Sequence, residues 1–312
     1  MATAMSPEQF QSLVEQGYNR IPVVREVLAD LDTPLSTYLK LADGAYSYLF
    51  ESVHGGEKWG RYSIIGMPCR TILSISGYEV SILRDGREIE RLSVEDPLAW
   101  IEEYQTRFRV PEIEGLPRFT GGLVGYFGYD TVRYVEKRLS GFRKSDPIGT
   151  PDIMLMVSDE VVVFDNLSGK LSLIVHADTD QDHSWQKTQE RLDELTRKLH
   201  EVVPGYQPGK SQRRISEADF ISGFTREAFE AGVSRIKEYI VEGDAMQVVL
   251  SQRMSIPFGA PSLDLYRALR YLNPSPYLYY LNLAEFQIVG SSPEILVHLE
   301  DGIITVRPIA GT

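Results

Sequence analysis

Read as a pattern of apolar and polar positions, the first two thirds of the chain break into short β-like runs. "RTILSISGYEVSIL" and "DIMLMVSDEVVVFDNLSGKLSLIVHA" are such runs, divided by Gly, Asp and Asn turn signals, and "DNLSG" between two of them reads as a hairpin loop. The period then changes. "SWQKTQERLDELTRKLHEV" is a charged helical stretch, followed by the breaker-rich "PGYQPGKSQRRIS" from Pro204 to Ser216. Beyond it, Phe229, Val233, Ile236 and Ile240 recur at helical spacing, with Thr225 as N-cap and Gly243 as stop. "AMQVVLSQRMSI", "PYLYYLNL", "FQIVGSSPEILVHL" and "GIITVRPIAGT" read as strands, with a helix at "SLDLYRALRYL" between the first two.

Strands and helices meet without the regular alternation of a doubly wound sheet. The pattern therefore predicts an α+β protein with largely antiparallel sheets. The breakers at 204–216 predict a linker, with one domain over 1–203 and the start of another over 217–312. The glycine-rich "TGGLVGYFGYD", Thr120 to Asp130, fits neither a phosphate loop nor a well-placed dinucleotide fingerprint, and its aromatic residues favour a packed strand or turn.

Composition narrows the function. The 312 residues are 43% hydrophobic, enough for a sizeable core, and the net charge of −12 argues against an affinity for nucleic acid. Cys69 is the single cysteine, and the five histidines show no zinc-ligand spacing, so a reducing cytoplasm fits. Neither a secretory leader nor a run of roughly 18 apolar residues that could span a membrane is evident.

Four segments join strand-like residues to small or polar ones: "GDAMQVVLSQR", "NPSPYLYYL", "GSSPEILV" and "RPIAGT". Their order resembles the chorismate-utilising enzymes. "YLFES" and "WGRYSIIG" add a resemblance to anthranilate synthase component I, which extends from about "IPVVREVLAD" to the last residue. The resemblance implies packed antiparallel sheets with helices outside, and a reaction in which ammonia from a glutaminase subunit attacks C2 of chorismate, giving anthranilate and pyruvate for tryptophan biosynthesis.

Two positions separate this chain from its relatives. Isochorismate and salicylate synthases place a lysine where Gln247 stands, and Gln247 cannot take a proton from water. Aminodeoxychorismate synthases of the folate branch often have a nucleophilic lysine where Ala310 stands. Ammonia is what remains. The resemblance makes Glu294 the general acid for the departing C4 hydroxyl, a role that needs a carboxyl held protonated by burial or like charge. Gly311 and Thr312 correspond to the residues that contact chorismate.

The resemblance also implies a feedback site for L-tryptophan formed by Glu51, Ser52, Pro276, Tyr277 and Leu278, with Arg61 as a further candidate. A polar pair beside an apolar wall suits an amino acid with an indole ring. Of Tyr279 and Tyr280, at least one reads as ordinary packing.

The family continues past "PIAGT" with a helix bearing "KExAEHxMLVDL", a histidine-bearing strand and a carboxylate segment. The Mg2+ ligands and the aromatising base are expected there, beyond residue 312, so the fold is expected to be incomplete. Negligible turnover is expected of these residues alone, and no metal is expected on them. The complete enzyme is expected to bind Mg2+ and to form a heterotetramer with the glutaminase subunit. The alternatives are a catalytically silent tryptophan-binding module and an aminodeoxychorismate synthase.

Overall fold

The computed structural model describes residues 5–28, 30–52, 61–139, 141, 146–203, 205–207, 209 and 215–307. The strands are β1 (Arg20–Leu28), β2 (Ser47–Glu51), β3 (Tyr62–Gly66), β4 (Thr71–Ser76), β5 (Glu79–Arg84), β6 (Arg87–Ser93), β7 (Gly122–Phe127), β8 (Ile153–Ser158), β9 (Glu160–Asp165), β10 (Lys170–Asp178), β11 (Ile221–Ser222), β12 (Met254–Ser255), β13 (Tyr277–Asn282), β14 (Gln287–Ser292), β15 (Val297–Glu300) and β16 (Ile303–Val306). The helices are α1 (Pro7–Glu15), α2 (Pro34–Leu41), α3 (Pro97–Gln105), α4 (Val132–Val135), α5 (Ser184–Leu199), α6 (Arg226–Glu242) and α7 (Ser262–Leu272).

A seven-stranded sheet has the order β1-β10-β9-β3-β2-β13-β14, and a five-stranded sheet the order β6-β5-β4-β8-β7. Every pairing in both is antiparallel. Two short pairs, β11-β12 and β15-β16, stand apart from them. The fold is thus α+β with antiparallel sheets, as the pattern predicts.

Alternation along the strands builds the layers. Val162 and Phe164 of β9 pack towards α1, α2, α5 and α7 with Leu49, Leu278 and Tyr280. Val161 and Val163, one position away, face the five-stranded sheet with Tyr48, Met154, Met156 and Leu281. Ile153, Leu155 and Val157 of β8 point the other way, under α3. β8 is buried at every position because both its faces are covered. The order of layers is helices, sheet, sheet, helix.

Local signals explain where elements begin and end. Ser6 caps α1 with a reciprocal Gln9 bond, Asp96 caps α3, and both helices start with Pro. Thr225 caps α6 and Gly243 closes it at φ 85°, as the sequence predicts. "DNLSG" is the turn between β9 and β10. The glycine-rich stretch forms β7, where a Cβ at Gly125 would lie 1.9 Å from the Met154 carbonyl oxygen. Only glycine admits that approach.

Two expectations are corrected. "AMQVVLSQRMSI" is not a strand: residues 247–253 are irregular, and only Met254–Ser255 pairs, with Ile221–Ser222. The apolar residues there are largely exposed, so no buried surface enforces pairing. "FQIVGSSPEILVHL" is not one strand but two, β14 and β15, in different sheets. A third expectation, a new domain after 216, meets a plain fact of topology: β13 and β14 extend the sheet built by residues 20–178, and β13 pairs directly with β2.

Candidate functional site

The β2-β13 pairing brings two of the sequence motifs together. Glu51 of "LFES" lies opposite Leu278 of "NPSPYL", and Phe50 opposite Tyr279. At this end of the strands lies a cavity of about 650 Å3, within the range that takes small organic ligands. Glu51, Ser52, Pro276, Tyr277 and Leu278 all line it. Five of the six residues expected at the feedback site thus share one cavity.

The walls come from both sheets. Phe50, Tyr62, Ile64, Tyr279, Leu281 and Ile288 supply apolar surface from one, and Gly125, Tyr126 and Phe127 of β7 close it from the other. Tyr62, Tyr126 and Phe127 were not legible as site residues. The aromatic residues among glycines in "TGGLVGYFGYD" were the available signal, but the packing of β7 against the sheet that holds β2 was not legible.

The five residues are not equivalent. Alternation turns Phe50 and Tyr279 towards the second sheet and Glu51 and Leu278 towards α7. Glu51 has a side chain only 2% exposed, and its Oε2 receives the Tyr266 hydroxyl and lies 3.1 Å from Arg270 Nε. Burial, then the Glu51 charge, raise the pKa of Tyr266, so the phenol stays a donor. Tyr266 and Arg270 sit one turn apart on α7 and are further residues that sequence reasoning missed. Tyr280 packs in the core, with its hydroxyl 2.9 Å from Ser262 Oγ.

Arg61 stands elsewhere. Its guanidinium donates to Asp165 at 2.7 and 3.1 Å and lies over the Tyr62 ring, so it is paired away from the cavity. The hydrogen bond from Arg61 also contributes to lowering the Asp165 pKa, against the effect of burial.

The expected catalytic residues do not converge among the described residues. Gln247 is exposed on the irregular segment after α6. Glu294 is exposed between β14 and β15, with its carbonyl accepting from Ser292 Oγ. Gly311 and Thr312 lie outside the described residues.

The matching of one family model defines the class: residues 54–312 match the chorismate binding enzymes, and the chain belongs to that family. The relatives are more particular. The chain is 58% identical over 311 residues to anthranilate synthase component 1 of Pseudomonas aeruginosa, covering 99% of this chain and 63% of that protein. A crystal structure of anthranilate synthase component I from Streptococcus pneumoniae is 27% identical, with a TM-score of 0.65 over 89% of this chain and 59% of that one. The menaquinone-specific isochorismate synthase of Escherichia coli, 14% identical with a TM-score of 0.50 over 93% of this chain and 55% of that one, shares the fold alone. The chain thus spans about 63% of the length of its curated relative.

Proposed function

We propose that this chain belongs to an anthranilate synthase component I, which forms anthranilate and pyruvate from chorismate with ammonia from a glutaminase subunit, and that its cavity binds L-tryptophan as a feedback inhibitor. The observation that carries the second part is the gathering of Glu51, Ser52, Pro276, Tyr277 and Leu278 around one 650 Å3 cavity. An indole ring has an apolar wall there, and the amino-acid end has Glu51 and Ser52.

The chemistry of the first part rests on identity to relatives and on two side chains. Gln247 offers no base to activate water, which disfavours the isochorismate reaction. Ala310 offers no nucleophile, which disfavours the covalent route of the folate branch. Mg2+ would supply charge neutralisation at the substrate carboxylate. Among the described residues no group of three or more His, Cys, Asp or Glu could hold an ion, so those present do not fit it. No helix among them is long and apolar enough to cross a membrane. A cytoplasmic setting accompanies this reading.

A second reading, a silent tryptophan-binding module, is favoured for these 312 residues by the exposure of Gln247 and Glu294. Two measurements separate the readings. Calorimetric titration with L-tryptophan, with L-phenylalanine as control, is expected to give saturable, tryptophan-selective binding that Ser52→Phe abolishes. No binding by a chain folded by circular dichroism removes the feedback reading. Anthranilate fluorescence from chorismate, Mg2+ and ammonia is expected to stay at background, and turnover removes the silent reading.

A further inference from the structure

A second cavity, of about 470 Å3, lies where β1, β8, β9 and β10 meet the first half of α5, and it shares no lining residue with the first. Its volume is in the range of small-molecule sites. Seven of the residues that line it carry charge, so what it can take depends on which charges already have partners.

Three of its cations are matched. Arg20 Nη1 donates to Asp178 Oδ1 at 2.5 Å and to the Asn19 carbonyl at 2.8 Å. Arg191 holds both oxygens of Glu160, at 2.7 to 3.1 Å, and reaches Glu194 at 2.6 Å. Arg70 holds both oxygens of Asp85, at 2.7 and 2.8 Å. His176 adds no charge, because burial keeps its ring neutral.

Asp159 and Lys187 remain. The Asp159 carboxyl group is partly buried and receives no hydrogen bond among the described residues; Arg20 attracts it by charge but donates elsewhere. Lys187 makes no ion pair or hydrogen bond among the described residues, although Asp159 lines the same cavity. A carboxylate drawn out of water without a donor is costly until one reaches it. One unmatched anion and one unmatched cation in a single cavity complement a zwitterion better than a simple anion or cation.

We propose that this cavity is a second binding site and takes an α-amino acid with an aliphatic side chain, its ammonium at Asp159 and its carboxylate at Lys187. Lys187 is exposed on α5, and its flexible four-carbon stem lets the charge follow the ligand. Met67, Pro68, Val157 and Val175 supply aliphatic wall, and no Phe, Tyr or Trp lines the cavity. An indole ring finds its aromatic neighbours in the first cavity, not in this one.

The test is a calorimetric titration at pH 7.5, above the Asp159 pKa of about 6, so that its carboxylate is ionised. The probes are L-leucine, isocaproate, which keeps the skeleton and lacks the ammonium, and isoamylamine, which lacks the carboxylate. L-leucine is expected to bind saturably and at least about tenfold more tightly than isocaproate. Asp159→Asn is expected to weaken L-leucine about tenfold, the scale of one charge-assisted hydrogen bond. Lys187→Met is expected to weaken it about threefold, as suits an exposed charge, and to leave isoamylamine within about twofold.

No saturable binding of L-leucine overturns the proposal. So does isocaproate binding as tightly as L-leucine, which would make the cavity a simple anion site. L-leucine binding that neither substitution weakens overturns it too, since the ligand would then sit elsewhere. If Asp159→Asn does not fold by circular dichroism, Lys187→Glu carries the test. A glutamate in the first turn of α5 suits the helix dipole, so that variant keeps its fold, and it repels the ligand carboxylate. It is expected to weaken L-leucine more than Lys187→Met does, and unchanged affinity overturns the proposal.

Discussion

Asp159, between β8 and β9, has a carboxyl group largely buried, with Arg20 nearby and no hydrogen-bond donor among the described residues. Burial pushes its pKa up to about 6, against the Arg20 attraction. His176 on β10 is partly buried, with Nε2 2.9 Å from the Thr120 carbonyl, and burial pushes its pKa down to about 4. The signs are opposite. Asp159 holds its proton longer in the folded chain, so its contribution is full below about pH 4 and is lost as pH rises through 6. His176 contributes above its ordinary value of 6.5, and that is lost as pH falls through about 4. Asp159→Asn is expected to be more stable than wild type by ~1–2 kcal/mol at pH 7.5, with the gain vanishing towards pH 4. Urea midpoints at pH 4, 5.5 and 7.5 check this, and a gain independent of pH would rule out titration as the cause. None of this was legible beforehand, because the desolvation comes from strands distant in sequence.

At the level of elements, close approach sets the tolerances. Gly125→Ala would drive a methyl into the Met154 carbonyl, and Gly66→Ala one to within 1.8 Å of the Tyr48 ring. Each is expected to cost ~1–3 kcal/mol, read as a fall in the urea midpoint, through forced displacement of β7 or of Tyr48. An unchanged midpoint for Gly125→Ala would mean that β7 shifts freely. Elements with a strong local signal were legible from sequence. α6 could be drawn from Thr225 to Gly243 because its cap, period and stop agree. "AMQVVLSQRMSI" was misread because Val248, Val249 and Leu250 favour a strand only where a partner and a buried face exist. Of the site, "LFES" and "NPSPYL" were legible as motifs. Tyr266 and Arg270 were not, since "LDLYRALRYL" reads as a helix without revealing which face meets Glu51.

Across the whole molecule, burial is uneven. The two large sheets and their helices hold the described core, whereas α6 has no buried residue, and Leu299, Ile303 and Ile304 of the β15-β16 hairpin are each about two-thirds exposed. Amide hydrogen exchange is expected to separate these regions, with α6 and β15-β16 exchanging at least ~100-fold faster than β8 and β9. Uniform protection would contradict that division. The run of breakers at 204–216 was legible. The sheet that crosses it was not, because strand order is set by packing partners that no local pattern names. That crossing also bears on synthesis. A ribosome makes β2 and β3 more than two hundred residues before β13 emerges to pair with β2. Until then, the backbone donors and acceptors along one side of Ser47–Glu51 wait unpaired, beside half of the cavity wall. A chain released at residue 260 would therefore offer a ready template for another copy's strand, and one released at residue 300 would already have closed it.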